Sequence, residues 1–370
     1  MTDQAQALRA QLLNELTTGG HVRTDPWKEA VGAVPRHDFL RGGFFRHTGG
    51  SAWEPVLQDD QGWLEACYRD ESLVTQIAGT ILPTDIRGQI LREPTSSSTL
   101  PSLVLRMLED LQVEPGMRVL EIGTGTGYST AVLATRLGDG LVTSVEYDPD
   151  VANRAAAALW DQGIHPTLVT GDGLLGHPDG GPYDRIIATC GIKTVPTAWI
   201  EQTRPGGLIL ATISGWLMAS ELARLTVHED GTASGPLLGG QASFMIARPQ
   251  SPPPLGLIPD LSAGTERQTS IGADALDDWT ARFIAQFAAP NAQRLTLNQD
   301  GRTEHVLVDV LSGSWAAVFE EGGQWVARQG GPDLLWDAVE AHLDGWHAAG
   351  KPAIEKAVVA VTREAQTLTW

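Results

Sequence analysis

Cysteine is scarce in this chain: of 370 residues only Cys67 and Cys190 carry a thiol. They form no C-x-x-C pair, which excludes a disulfide framework and a zinc ribbon. The nine histidines show no metal-ligand spacing, so no metal is expected. Long hydrophobic runs are missing as well. No stretch reaches the roughly 18 apolar residues of a membrane span, and Met1-Thr2-Asp3-Gln4 lacks the basic and then apolar order of a signal sequence. The expectation is a cytoplasmic protein without a membrane partner. Positive charge is also short, with 26 Lys and Arg against 45 Asp and Glu, a net charge of −19. That balance repels phosphate backbones and argues against DNA or RNA as a partner. No internal repeat or long low-complexity segment is present.

What the chain does have is a glycine-rich turn. The apolar run Val119-Leu120-Glu121-Ile122 leads straight into Gly123, Gly125 and Gly127, and an alanine-rich helical stretch follows. Without Cβ atoms the backbone can turn sharply there and come within contact distance of a ligand. The spacing separates ligand classes: a G-x-G-x-x-G dinucleotide fingerprint needs its third glycine where Tyr128 stands, and no Lys-Ser or Lys-Thr pair grips phosphates. Leu141 to Glu146 reads as a second strand, ending in an acid about 20 residues beyond the glycines, the separation at which a carboxylate accepts ribose hydroxyls. Thr167 to Thr170 is a third strand, ending in Gly171-Asp172-Gly173, where an acid between glycines can approach an adenine amino group. Asp184 to Thr189 and Gly206 to Ala211 follow as the fourth and fifth strands, the latter after the turn Arg204-Pro205-Gly206. Strands alternating with helices, with ligand groups at strand C-termini, describe a doubly wound sheet. Singly, a glycine turn is equally a packing corner and an acid equally a helix cap; the ordered set points to a site.

Glu121-Ile122-Gly123-Thr124-Gly125-Thr126-Gly127 resembles the first motif of class I S-adenosylmethionine (SAM) methyltransferases. After the fourth strand the loop Ala188-Thr189-Cys190-Gly191 departs from the N-P-P-Y-like loop of amine-directed nucleic-acid methyltransferases. Further motifs are similar, in order, to those of protein-L-isoaspartate O-methyltransferases: Ala33-Val34-Pro35-Arg36-His37-Asp38-Phe39-Leu40, the hydroxyl-rich turn Thr95-Ser96-Ser97-Ser98-Thr99-Leu100-Pro101, Gly171-Asp172-Gly173 and Arg204-Pro205-Gly206-Gly207. The similarity runs roughly from Pro26 to Pro249. It implies an α/β class I SAM-dependent methyltransferase with a Rossmann-like doubly wound sheet, using SAM and releasing S-adenosylhomocysteine. The cofactor contacts implied are Glu121, Gly123, Thr124, Gly125, Gly127, Glu146, Tyr147, Asp172, Gly173 and Leu174.

In that family a serine two residues before a proline lies beside the methyl group and the acceptor carboxylate; the matching residue here is Thr99, and Ser98 is the alternative. Either could instead cap the helix Pro101 to Leu111. Ser97 and Arg36 are substrate candidates, Arg36 because its planar fork suits a carboxylate, although a surface salt bridge is the competing reading. His37 reads as structural. An aspartate carboxyl, with a reference pKa of about 3.9, is already ionised at neutral pH and needs no general base.

The chain divides by composition into an N-terminal helical lid, 1–94; a SAM-binding core, 95–248; a Pro-rich linker, 249–264; and a C-terminal α+β domain, 265–370. Helical spacing marks Ala5 to Glu15, and Asp25-Pro26 opens a second helix. Ala223 to Val227 and Ser243 to Ala247, around a turn at Glu229-Asp230-Gly231, are expected to pair as a hairpin. Beyond the linker, His305 to Val310, Trp315 to Glu320 and Gln324 to Arg328 read as strands, Pro332 to His347 as an amphipathic helix, and Val358 to Val361 as a further strand. Six of the 12 tryptophans, Trp279, Trp315, Trp325, Trp336, Trp346 and Trp370, lie in that region. They fill a small core or grip a peptide, the core being favoured for most of them.

The long segment holding Trp53, Trp63, Tyr68 and Asp70 and the region after the core set the chain apart from a plain repair enzyme, and Pro94-Thr95-Ser96-Ser97-Ser98, Glu121-Ile122-Gly123-Thr124-Gly125-Thr126-Gly127-Tyr128 and that C-terminal region together resemble the actinobacterial methyltransferases associated with ATP-grasp peptide maturases. That resemblance implies a crosslinked, ribosomally made precursor peptide as substrate, methylated on an aspartate whose ester collapses to an aminosuccinimide. General isoaspartate repair is the second reading, and a non-catalytic SAM-binding peptide adaptor the third.

Overall fold

The computed structural model describes residues 2–299 and 301–370. The chain opens with two helices, α1 (Thr2–Thr18) and α2 (Asp25–Ala33), with Pro26 in the first turn of α2 where its missing N–H costs nothing. Next come β1 (Phe44–Gly49), β2 (Ala52–Val56), the short helix α3 (Trp63–Cys67), β3 (Leu73–Ile77) and β4 (Pro94–Ser98). These strands form a four-stranded antiparallel sheet in the order β2-β1-β3-β4, over a small core of Phe45, Val74 and Ile77. The expected helical lid therefore needs correction: its apolar residues alternate in pairs of strands as well as in helices. The expected hydroxyl-rich turn is likewise β4 itself, an edge strand. Its serines at 96 and 98 are buried, and the turn comes only at Thr99 and Leu100.

Helix α4 (Pro101–Asp110) leads to the alternating part of the chain: β5 (Val119–Ile122), α5 (Tyr128–Leu137), β6 (Val142–Glu146), α6 (Pro149–Asp161), β7 (Thr167–Thr170), β8 (Tyr183–Ile192), α7 (Thr197–Gln202) and β9 (Thr203–Ser214). The order is β9-β8-β5-β6-β7, with β5 parallel to both β6 and β8, and β6 parallel to β7. Chain order thus reverses on either side of β5, the point where doubly wound sheets bind ligands beyond their strand C-termini. Every residue of β5 is buried, and so are Ile186 and Ile187 of β8, as expected for strands covered on both faces. Each of the apolar side chains among them contributes about 1.5–3 kcal/mol on leaving water.

The rest of the chain supplies β10 (Ser220–Val227), β11 (Ala233–Pro236), β12 (Thr265–Gln268), α8 (Trp279–Ala288), β13 (Gln293–Gln299), β14 (Arg302–Asp309), β15 (Ser314–Glu321), β16 (Gln324–Gly330), α9 (Leu335–Ala348), β17 (Val358–Val361) and β18 (Gln366–Thr369). The hairpin partner of β10 is β11, with Thr226 opposite Ser234, and not Ser243 to Ala247. The reason is the tightness of the turn: the His228 N–H donates to the Thr232 carbonyl at 2.8 Å, so the chain has already returned by Ala233. Ile246 makes only an isolated bridge to Gly191.

Contacts group the chain into two compact units. The first runs to Thr189 and takes in Pro196–Leu210; the second is Cys190–Val195 with Ala211–Trp370. The residues expected as a lid thus share a unit with the glycine turn, and the division falls inside β9. In the second unit the 249–264 segment is tied down: Gln250 accepts from the Lys193 N–H at 2.5 Å, its carbonyl accepts from Trp216 Nε1 at 2.9 Å, and Leu261 is buried. The five strands in the order β12-β16-β15-β14-β13 alternate cleanly. Val306, Val308, Trp315 and Ala317 face Leu261, while Leu307, Ala316 and Val318 pack with Trp336, Val339 and Leu343 of α9. Trp315, Trp336 and Trp346 are buried, so the core reading holds for them, whereas Trp370 is 40% exposed.

Candidate active site

The site lies in the first unit, where β5 ends. Gly123, with φ +96°, donates its N–H to the Val145 carbonyl at 2.8 Å, and a Cβ there would stand 2.7 Å from Thr189 Oγ1. Gly125 has φ +57°, and a Cβ would meet the Ser97 carbonyl oxygen at 3.3 Å. Gly127 precedes α5, and its missing Cβ lets α6 approach, with Leu159 Cγ at 3.3 Å and Ala155 Cβ at 3.4 Å. The three glycines thus serve three purposes: a turn against β8, a bare backbone facing the hydroxyl strand, and close helix packing. Thr124 is buried, its Oγ1 2.6 Å from Ser144 Oγ, and it ties the loop to β6.

Glu146 stands at the end of β6. Its Oε2 accepts from the Gly125 N–H at 2.9 Å and its Oε1 from the Asp148 N–H at 3.1 Å, so the acid and the glycine turn form one structure. Tyr147 beside it is 46% exposed. Asp172 accepts from the Leu174 N–H through Oδ1 at 2.9 Å, capping the turn Gly173–Leu175, and its Oδ2 makes no hydrogen bond among the described residues. Gly173 again marks close approach, since a Cβ would meet Ile122 Cγ2 at 2.5 Å.

Glu121 needs correction as a cofactor contact. It is completely buried, accepting from Ser129 Oγ at 2.5 Å, Ser144 Oγ at 2.7 Å and, closer still, Thr130 Oγ1. Burial pushes its carboxyl above the usual range, and those hydroxyls work against the shift. It fastens β5, β6 and α5 together beneath the glycine turn. Its place in an otherwise apolar strand was the signal, because a buried acid must be satisfied from within.

Arg36 is corrected too. It is neither a surface salt bridge nor available to a carboxylate: the side chain is fully buried and its donors are spent on five backbone carbonyls and the Ser98 hydroxyl. Nη1 donates to the carbonyls of Cys67 at 3.1 Å and Arg69 at 2.9 Å. Nη2 donates to those of Glu71 at 2.9 Å, Ser98 at 3.2 Å and Thr99 at 3.2 Å. Nε reaches Ser98 Oγ at 3.4 Å. Burial lowers its pKa, opposed by Tyr128, Cys67 and Asp70. Ser98 Oγ therefore points at Arg36, whereas the hydroxyls of Thr99 and Ser97 have no hydrogen-bond partner among the described residues. Neither Ser98 nor Thr99 caps α4. That helix is capped by Asp70, whose Oδ1 accepts from the Ser102 N–H at 2.8 Å, and the Leu100 N–H donates to Ser72 Oγ at 3.0 Å.

Sequence reasoning missed Gln76 and Thr189. Buried Gln76 accepts from Thr95 Oγ1 at 2.8 Å and donates to Asp148 Oδ2 at 3.3 Å, joining β4 to the loop after β6. Nothing in its local spacing marked it. His37 is structural, with Nδ1 2.7 Å from the Tyr68 hydroxyl; burial lowers its pKa, opposed by Asp38. Burial likewise pushes the Cys67 thiol up to about 12, leaving it unreactive. No group of three or more His, Cys, Asp or Glu among the described residues could hold a metal. A cleft of about 670 Å³ in the second unit contains Arg302 and Arg328, but both are tied to Glu304 and contribute nothing to this site.

Comparison with known proteins places this geometry. Residues 73–235 match the family model "Protein-L-isoaspartate(D-aspartate) O-methyltransferase (PCMT)". A protein-L-isoaspartate O-methyltransferase of Thermococcus onnurineus is 36% identical over 246 residues, covering 65% of this chain and 94% of that protein. One from Thermotoga maritima is 41% identical over 140 residues, covering 37% of this chain and 44% of its own, so the match spans less than half of that relative. A solved structure titled protein-L-isoaspartate O-methyltransferase superposes with a TM-score of 0.58 at 22% identity, over 98% of this chain and 99% of that one. The fold is the class I SAM-dependent methyltransferase fold, and the likeness extends through the second unit.

Proposed function

Since the chain belongs to the protein-L-isoaspartate O-methyltransferase family, we propose that it transfers the methyl group of SAM to the side-chain carboxylate of an aspartyl or isoaspartyl residue in a peptide. The observation that carries this reading is the junction of Gly125, Glu146 and Ser97: a bare backbone, an acid and a hydroxyl strand meet within hydrogen-bond and contact distance. The residues fit the cofactor, because the positive-φ glycines keep the backbone of 123–127 bare beside the acids Glu146 and Asp172 at the ends of neighbouring strands. Glu146 would hold the ribose, Asp172 Oδ2 the adenine amino group and Tyr147 the adenine face. When bound, SAM supplies a methyl group already activated for transfer.

What remains for the protein is alignment, whose effective molarity can offset about 7–11 kcal/mol of barrier. Thr99 Oγ1 would donate to one oxygen of the acceptor carboxylate, leaving the other free to accept the methyl group that SAM supplies. No base is required, since that carboxylate is ionised at neutral pH, and His37, turned to Tyr68, agrees with its absence.

For the substrate we favour a crosslinked, ribosomally made peptide in cytoplasmic maturation. The ester then collapses: the next backbone nitrogen bonds to the ester carbonyl carbon, loses its proton, and methanol departs, leaving an aminosuccinimide. What supports this reading is the resemblance to maturation methyltransferases carried by Pro94 to Ser98, Glu121 to Tyr128 and the C-terminal region. Isoaspartate repair is favoured by the relatives' names and by the second unit's likeness to a repair-named structure. Incubation with SAM and a linear isoaspartyl peptide separates them. Methylation of that peptide favours repair; refusal of it, with a mass gain of one methyl or net loss of water on a crosslinked peptide, favours maturation. An adaptor would bind SAM and transfer nothing.

A further inference from the structure

We propose that Arg36 is a positioning residue for methyl transfer, acting by fixing the end of β4 so that the Thr99 hydroxyl is held against the glycine turn. The inference rests on the carboxyl-methylation reading for its kinetic test and on geometry alone for its structural one.

A fully buried guanidinium normally faces a carboxylate, because an isolated buried charge is costly. Arg36 forms no ion pair among the described residues. It spans two stretches of chain, with three carbonyls from 67–71 on one side, and the Ser98 and Thr99 carbonyls with Ser98 Oγ on the other. Only a planar fork with five N–H groups can reach so many acceptors at once; a single ammonium cannot. The first stretch also supplies Asp70 and Ser72, which hold the N–H groups of Ser102 and Leu100. Thr99 is thus bracketed by Arg36 on its own carbonyl and by Ser72 on the following amide.

The fastening matters because β4 is an edge strand, paired only with β3 through a register that slips twice. Such a strand is poorly held by its ladder alone. Its Ser97 carbonyl nonetheless lies against Gly125, and the free Thr99 hydroxyl is two residues on. A guanidinium that donates to five backbone carbonyls and one serine hydroxyl, beside a strand end whose Ser97 and Thr99 hydroxyls have no partner among the described residues, is built to set a position.

The test compares Arg36→Lys, Arg36→Gly and a core control, Leu105→Ala, in the full chain with SAM and an isoaspartyl peptide or crosslinked peptide that the wild type methylates. For Arg36→Lys, kcat should fall by up to about tenfold, the worth of the one Thr99 hydrogen bond it positions, while SAM affinity by calorimetry stays within about threefold. Leu105→Ala, with an equal or larger loss of Tm, should keep kcat within a few-fold. Methylguanidine should restore part of the kcat of Arg36→Gly and nothing to Leu105→Ala. Wild-type kcat in Arg36→Lys, or an equal loss in the control, overturns the proposal. Amide exchange needs no turnover: Arg36→Lys should expose 94–102 while 119–127 stays protected. Unchanged protection at 94–102 contradicts the positioning role even if the carboxyl-methylation reading is correct. A wild type that methylates neither peptide sinks that reading and leaves the exchange result to decide this one.

Discussion

At Gly123 a methyl group would have to displace Thr189 Oγ1, 2.7 Å away, from a backbone already at φ +96°. Gly123→Ala should therefore lose about 1–2 kcal/mol from the left-handed conformation alone, with a fall in SAM affinity measurable by calorimetry. The hydroxyls make a sharper prediction. Thr99→Ala should lower kcat by about tenfold, the worth of one hydrogen bond, with SAM affinity unchanged. Ser98→Ala should do less, because Ser98 Oγ faces Arg36 and not the cleft; the reverse order in a kinetic assay would reverse the assignment. The placement of the glycines and strand-end acids was legible in the sequence because it depends on backbone geometry and on separation along the chain. Arg36, Glu121 and Gln76 were not. Each is defined by partners that other elements bring in, from Ser129 against Glu121 to Asp148 against Gln76, and an arginine or a glutamate beside a motif reads as a ligand until the fold shows its donors or acceptors already taken.

Strands and helices with strong apolar periodicity were readable: β6, β7, β14 and α9 lie close to where alternation and helical spacing put them. Polar elements were not. The Thr-Ser-Ser-Ser run of β4 carries no apolar alternation, and only its pairing with β3 makes it a strand. The short β11 was lost behind a turn that closes sooner than its residues suggest. At this scale the joint between β12 and α9 makes a pH prediction. Burial works to raise the Glu340 carboxyl, but hydrogen bonds from Thr269, Ser270 and Arg267 outweigh it and hold the group from its ordinary 4.5 down to about 2. A depressed folded value means the stabilisation is present above the ordinary carboxylate range and is lost as pH falls through the folded value. Glu340→Gln should cost roughly 2 kcal/mol near pH 7, as expected for hydrogen bonds to a charged group. In denaturant titrations the gap should close between pH 4.5 and about 2; a gap constant with pH would show that the carboxylate is not what holds this joint.

For the molecule as a whole, a net charge of −19 governs encounter with the acceptor. A peptide flanked by lysines should show a lower KM than its glutamate-flanked counterpart at low salt, and the two should converge as ionic strength rises to about 0.5 M. Salt-independent KM values would mean that the field of the chain plays no part. The doubly wound class of the sheet was legible because a glycine turn and two acids recur at fixed strand ends. The boundary between units was not: proline and glycine composition marks where a chain bends, not where contacts separate, and the division lies inside β9. The central assignment is tested most directly by supplying SAM labelled in its methyl group with an aspartyl or isoaspartyl peptide, then raising the pH. Label on the peptide that is released as volatile methanol in mild base identifies a carboxyl methyl ester and is the predicted result. Label that survives base, on nitrogen or carbon, or no transfer to either peptide, would contradict it.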